Sequence, residues 1–234
     1  GISCNTFNWP LVARLARRIR RQMPRIPIVV GGPQLSLYPD ECMEEGAVDV
    51  AVVGEGERTL VELLGRISRN ETLEGTPGTL VRCGAEVVAG PERPPIADLD
   101  ALPLPAIDLF PLDRYRSLTL STPFVTLVTS RGCPYRCRYC SQVYVGGTYR
   151  EHGADRVIEE IVRAVETFGA RELIFFDETF TINRDRILTV CEATTARGLK
   201  VGWHVRTRGD LLDDEMLQAL HDAGCVSIHV GIEA

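Results

Sequence analysis

Three cysteines fall within eight residues of this sequence, in Cys133-Pro-Tyr-Arg-Cys137-Arg-Tyr-Cys140. Thiolates are soft donors, and three of them on one loop suit zinc or an iron–sulfur cluster. A structural zinc site takes four ligands, usually as two close pairs. Here one triad stands without a second pair at suitable spacing, and the candidates for a fourth ligand are His152 and the scattered cysteines. A four-iron cubane held by three cysteines leaves one iron with an open position. An open position is what catalysis requires and what a closed structural site lacks.

The other five cysteines, Cys4, Cys42, Cys83, Cys191 and Cys225, stand singly in apolar stretches. There a free cysteine acts as a small buried hydrophobe. No signal peptide is visible and the chain is not a small loop-rich scaffold, which argues against disulfides; the cysteine cluster points to a reducing compartment, and the expectation is the cytoplasm.

The elements around the triad must position it. A strand over 124–129 runs directly into the cysteine loop. A helix over 155–168 leads to a strand over 172–176, followed by Asp177-Glu178-Thr179-Phe180. A helix over 185–196, a strand over 200–206, a helix over 213–223 and a strand over 225–232 complete the pattern. Such βα steps fit either a doubly wound sheet or a β/α barrel, and in a barrel the loops after the strands form the active face. Side-chain alternation favours the barrel. Val226, Ile228, Val230 and Ile232 share one face of the last strand, and Ser227, His229, Gly231 and Glu233 the other. The strand before it splits into Val201, Trp203 and Val205 against Gly202, His204 and Arg206. A doubly covered open sheet is apolar on both faces, whereas a polar face on successive parallel strands suggests a functional lumen.

The first part of the chain alternates as well. A helix starting at Pro10 carries Leu11, Val12, Leu15, Ala16, Ile19 and Met23 on one face. Arg14, Arg17, Arg18, Arg20 and Arg21 fall mostly elsewhere and read as solvated. A strand over 26–30 ends at Gly31-Gly32-Pro33. A helix over 39–45, a strand over 48–53 ending at Gly54-Glu55-Gly56-Glu57, and a helix over 59–68 follow. Residues 79–83 and 86–89 flank Gly84 as a hairpin. Pro91, Pro94, Pro95, Pro103, Pro105 and Pro111 then mark a linker, since such proline density suits neither helix nor central strand. The expected division is an α/β domain over 1–75, a hairpin and proline-rich linker over 76–120, and a partial barrel over 121–234.

The composition is that of a globular protein: 234 residues, 44% hydrophobic and 25% charged. No apolar run approaches the roughly 18–20 residues of a membrane helix. A net charge of −6, from 26 basic and 32 acidic residues, gives no reason to expect nucleic-acid or anionic-membrane binding. The chain opens on Gly1 and stops at Ala234 just after a strand-like run, so the expectation is a piece of a larger protein.

The Cys-x3-Cys-x2-Cys spacing, with Tyr139 before the last cysteine and Thr129-Ser130-Arg131-Gly132 ahead of the first, resembles the signature of the radical S-adenosylmethionine (SAM) enzymes. The resemblance implies a [4Fe–4S] cluster on Cys133, Cys137 and Cys140. Its open iron would chelate the methionine end of SAM, and reductive cleavage would release a 5′-deoxyadenosyl radical. Tyr139 would lie near the adenine. Asp177 and Glu178 occupy the place of the element that binds the methionine amino group. Arg206 is similar to a basic residue near a carboxylate, and Gly231-Ile232-Glu233 to the end of the fourth strand near the ribose or methionine. The first domain resembles the later part of a flavodoxin-like cobalamin-binding domain, in which Ser3 and Gly31-Gly32 would accommodate the nucleotide tail. Asn5 stands where that family has leucine.

Together these resemblances imply a cobalamin-dependent radical SAM methyltransferase acting on an unactivated carbon or on phosphorus of a small-molecule substrate. A one-electron reductant such as flavodoxin or ferredoxin would be its partner. Radical cyclisation or oxidation of a tetrapyrrole-like substrate is the alternative within the family, and a non-catalytic zinc-binding module the alternative outside it.

Overall fold

The computed structural model describes residues 1–138, 140 and 148–231. Two compact units emerge: Gly1–Ile96 with the described part of 136–146, and Ala97–Tyr135 with the described part of 147–234.

In the first unit the elements are β1 (Ile2–Ser3), α1 (Trp9–Gln22), β2 (Val29–Gly31), α2 (Pro33–Leu37), α3 (Pro39–Glu44), β3 (Val50–Val52), α4 (Glu57–Ser68), β4 (Thr79–Cys83) and β5 (Glu86–Ala89). They form one sheet in the order β1-β2-β3-β4-β5. β1, β2 and β3 are parallel. β4 pairs antiparallel with β3 and β5 with β4, so the hairpin extends this sheet. Both faces are covered, as the β-branched strands require. Val30, Ala51 and Cys4 pack on one side with Val12, Ala16, Leu35 and Met43. Val29, Val50, Val52 and Val81 pack on the other with Leu63 of α4.

Helix α1 is turned relative to the expected face. Val12, Ala13 and Ala16 are buried, while Leu11, Leu15 and Met23 are exposed. Two of the arginines expected to be solvated form ion pairs, Arg17 while staying exposed and Arg20 half-buried. Arg17 bonds Glu45 at 2.9 Å, and Arg20 pairs with Asp49 while donating to the carbonyls of Pro24 (2.7 Å), Ile26 (3.2 Å) and Ala47 (3.3 Å).

The second unit contains β6 (Phe124–Leu127), β7 (Ser130–Arg131), β8 (Arg150–Glu151), α5 (Ala154–Val162), β9 (Glu172–Phe175), α6 (Arg184–Ala196), β10 (Gly202–Arg208), α7 (Asp214–Asp222) and β11 (Cys225–Gly231). α5 continues into a π-helical turn over Arg163–Thr167. Asn183 caps α6 and Asp213 caps α7, each side chain accepting from the backbone N–H three residues on, that of Arg186 and of Met216. The main sheet is β11-β10-β9-β6, parallel throughout and in chain order. One core lies between it and the helices: Val125, Leu127, Leu173, Phe175, Trp203 and Val205 against Val157, Ile161, Ile187, Val190, Met216 and Leu220. Strands adjacent in chain order, with helices burying one face, form an arc of barrel wall.

The opposite face carries Thr126, Ile174, His204 and Ser227 in one register row, and Arg206 beside His229 in another. A bulge departs from the expected alternation. Trp203 pairs with Cys225 and His204 with Ser227, so Val226 is an extra residue. It turns out of the core, is exposed, and stands by Gly202. No helix among the described residues is long and apolar enough to cross a membrane.

Candidate functional site

The cysteine loop leaves and returns through a short two-stranded stem. β7 and β8 pair antiparallel, Ser130 with Glu151 and Arg131 with Arg150. The N–H of His152 donates to the Thr129 carbonyl at 2.9 Å. Gly132 closes the stem in the left-handed region, at φ +80°. A Cβ there would stand 2.4 Å from the Thr148 carbonyl oxygen, so only glycine fits. Cys133 follows at once, its Sγ 3.7 Å from the Thr179 hydroxyl. The N–H of Cys140 donates to the Cys137 carbonyl at 3.1 Å.

No disulfide engages the three thiols. Cys133 and Cys137 are half-buried and Cys140 is exposed. Among the described residues, no three metal-ligating side chains converge on one point. The donor set itself, three accessible thiols on one loop with no disulfide between them, fits an iron–sulfur cluster. Tyr139 and Glu233, with Ile232, lie outside the described residues. His152 is buried, and its Nδ1 meets Asp100 Oδ1 at 2.7 Å.

The acidic turn after β9 divides its two carboxylates. Asp177 is 1% exposed, whereas Glu178 is exposed. Asp177 accepts from the Thr129 N–H at 3.2 Å, the Thr129 hydroxyl at 2.9 Å, and the Ser130 hydroxyl. Burial raises its pKa, against the lowering effect of those donors and of the nearby Arg186 charge. The turn is anchored by Phe180, buried against Phe175 and Trp203 at ring separations of 4.6 and 6.5 Å. The Phe180 N–H donates to the Arg206 carbonyl at 2.8 Å.

Three contacts organise the polar face of the arc. His204 Nε2 meets Glu172 Oε2 at 2.7 Å near the amino ends of the strands. Toward the carboxyl ends, the Arg206 guanidinium lies 4.3 Å over the Phe176 ring, and that of Arg208 lies 4.1 Å over the ring of Tyr135. Tyr135 belongs to the Cys133–Cys137 interval, so Arg208 reaches the cysteine loop. Sequence reasoning did not single out Arg208, Arg186, Tyr149 or Glu151, because a polar residue at a strand end or in a first helical turn ordinarily reads as solvated.

In the first unit, Ser3 and Gly31 are register partners at the carboxyl ends of β1 and β2. Gly32 has φ +103°, and a Cβ on it would stand 2.5 Å from the Cys4 carbonyl oxygen and 3.0 Å from Ser3 Oγ. At Gly31 a Cβ would make only ordinary contact with Val52 at 3.5 Å. Ser3 is exposed and both glycines half-buried. Small residues and an accessible hydroxyl at the carboxyl ends of parallel strands fit the approach of a nucleotide-like tail.

Residues 127–234 match the radical SAM superfamily, and residues 1–64 match the B12 binding domain. The chain is similar to the uncharacterized methyltransferase PH0819 of Pyrococcus horikoshii, 33% identical over all of this chain and 51% of that protein. It is also 33% identical to the anaerobic magnesium-protoporphyrin IX monomethyl ester cyclase of Cereibacter sphaeroides, over 91% of this chain and 36% of the cyclase. Its fold resembles that of the cobalamin-dependent SAM radical enzyme OxsB, with a TM-score of 0.81 and 23% identity over 99% of this chain and 35% of that one. The chain thus spans about half the length of these curated relatives, or less.

Proposed function

The chain belongs to the cobalamin-binding proteins of the radical SAM superfamily, and from that premise we propose that it serves a cobalamin-dependent radical SAM methyltransferase. Cys133, Cys137 and Cys140 would hold a [4Fe–4S] cluster, and Ser3, Gly31 and Gly32 would receive cobalamin. When bound, these groups supply reductive cleavage of SAM to a carbon radical and a transferable methyl group.

The chain's own residues bind and orient. Glu178 and Arg206, both exposed in the second unit, offer opposite charges to the amino and carboxylate groups of SAM. Tyr139 and Glu233 are proposed for the adenine and the ribose or methionine end. Phe176 restrains the Arg206 guanidinium by stacking. The substrate class proposed is a small molecule methylated at an unactivated carbon or at phosphorus, with a flavodoxin- or ferredoxin-type reductant supplying single electrons.

One observation carries this reading: the stem that opens at Gly132 and delivers Cys133 beside the acidic turn after β9. Anaerobic reconstitution with iron and sulfide tests it. The expected product is brown, with about four irons per chain, and Cys137→Ala abolishes the colour. A colourless protein that takes up one zinc and no iron would return the triad to the zinc-module reading. The cyclase relative favours a second outcome within the family. SAM carrying a labelled methyl group separates the two, because methyl transfer leaves label in the product and cyclisation does not.

A further inference from the structure

We propose that Asp177 and Arg186 are positioning residues for the two-stranded stem of the cysteine loop, pinning its outgoing and returning strands so that Cys133 is placed before a cluster is bound. The proposal rests on the cluster reading above, but assigns Asp177 to the loop and not to SAM.

Asp177 holds the outgoing end. Both of its carboxylate oxygens are occupied by Thr129 and Ser130, the residues that lead into the stem. Arg186 holds both ends at once. From the first turn of α6, its Nη1 donates to the carbonyls of Thr129 and His152, each at 3.0 Å. These two residues face each other across the stem. The Nε of Arg186 lies 3.2 Å from Glu151 Oε2. Glu151, paired with Ser130 in the ladder, also accepts from the Tyr149 hydroxyl and from Asn183 Nδ2, both at 2.5 Å. The side chain of Arg186 is only 4% exposed, and among the described residues its Nε and Nη2 are buried without a hydrogen-bond partner, the Nε contact with Glu151 being an ion pair only. A buried charge with an unmet donor is costly, and more apolar packing would stabilise the fold as well or better. What the arrangement provides is geometry. One group from the acidic turn and one from the helix that follows it fix the stem from which Cys133 is presented.

The test uses the full chain, reconstituted anaerobically, with four readouts: iron content, the rate of iron loss to a chelator, the electron paramagnetic resonance spectrum of the reduced cluster, and SAM affinity. Asp177→Ala and Arg186→Lys are expected to lose iron roughly 10–100-fold faster than wild type, the usual effect of removing a group that orients metal ligands. Their spectra are expected to shift. Asp177→Asn keeps an acceptor oxygen and should recover part of the retention. Glu178→Gln should keep the iron and the spectrum while weakening SAM binding.

If Asp177→Ala keeps iron and spectrum at wild-type values and loses only SAM affinity, Asp177 is a ligand contact and the proposal fails. A wild-type chain that takes up no iron overturns the cluster reading, and this proposal with it. Circular dichroism of the iron-free proteins checks folding. Should Asp177→Ala not fold, Ser130→Ala removes a single bond of the same set, with faster iron loss expected and unchanged loss counting against the proposal.

Discussion

The guanidinium of Arg206 lies 4.3 Å over the ring of Phe176, one strand away on the polar face of the arc. A stack of this kind is worth about 0.5–1 kcal/mol at an accessible site, which corresponds to about 2–5-fold in a dissociation constant. Phe176→Leu is therefore expected to weaken SAM binding to the cluster-loaded protein by about that factor, and Arg206→Met by more, since it also removes the charge. Anaerobic calorimetry reads both. Equal affinities in both variants and wild type would remove Arg206 from the SAM site.

The two glycines after β2 separate fold from function. Gly32 combines a left-handed φ of +103° with a Cβ position 2.5 Å from the Cys4 carbonyl oxygen. Gly32→Ala should cost at least about 1–3 kcal/mol, seen as an earlier denaturation of the first unit. Gly31→Ala meets only Val52 at 3.5 Å and should change stability by about 0.5 kcal/mol or less. Its expected effect is on hydroxocobalamin, titrated anaerobically and followed by absorbance. Unchanged binding in a folded Gly31→Ala protein would remove this glycine from the cofactor site.

Gly132 ends the outgoing strand of the cysteine stem. Its φ of +80° and the 2.4 Å approach to the Thr148 oxygen leave no room for a side chain. Gly132→Ala should displace the stem and reduce iron uptake on reconstitution although all three thiols remain. Wild-type iron content in this variant would show that the stem geometry does not govern the loop.

Much of this architecture was legible in the chain. The hairpin at 79–83 and 86–89 was marked by β-branched runs about a glycine that takes φ +65°. The later βα steps were marked by their periodicity, and the radical SAM and B12 families by motif order. What was not legible depended on tertiary partners. α1 buries Val12, Ala13 and Ala16 instead of Leu11 and Leu15, because its rotation is set by what it packs against and not by its own periodicity. α2 begins at Pro33 of Gly31-Gly32-Pro33, which reads only as a strand end; the proline at its first turn is the signal available in the sequence. The bulge at Val226 cannot be seen in an alternation that looks unbroken. Asp177 and Glu178 are adjacent acids with opposite surroundings. Only the fold shows that the first faces Thr129 and Ser130.

The Glu172–His204 pair gives the second unit an acid-sensitive element. Burial alone would raise the Glu172 carboxyl. The Ser121 N–H at 2.7 Å and the His204 imidazole at 2.7 Å outweigh it and hold the carboxyl below its usual range. A group whose folded pKa is lowered contributes stability that is fully present above the unfolded value, about 4.3 for glutamate, and is lost as pH falls through the folded one. Glu172→Gln should thus be less stable than wild type at neutral pH. The gap should narrow as pH drops from about 5 to about 3, because the wild-type carboxylate then takes up the proton that glutamine never needs. Thermal melts of the two proteins across that range measure the gap directly. A constant difference from neutral pH down to pH ~3 would mean that the pair contributes through packing and not through the charge on Glu172.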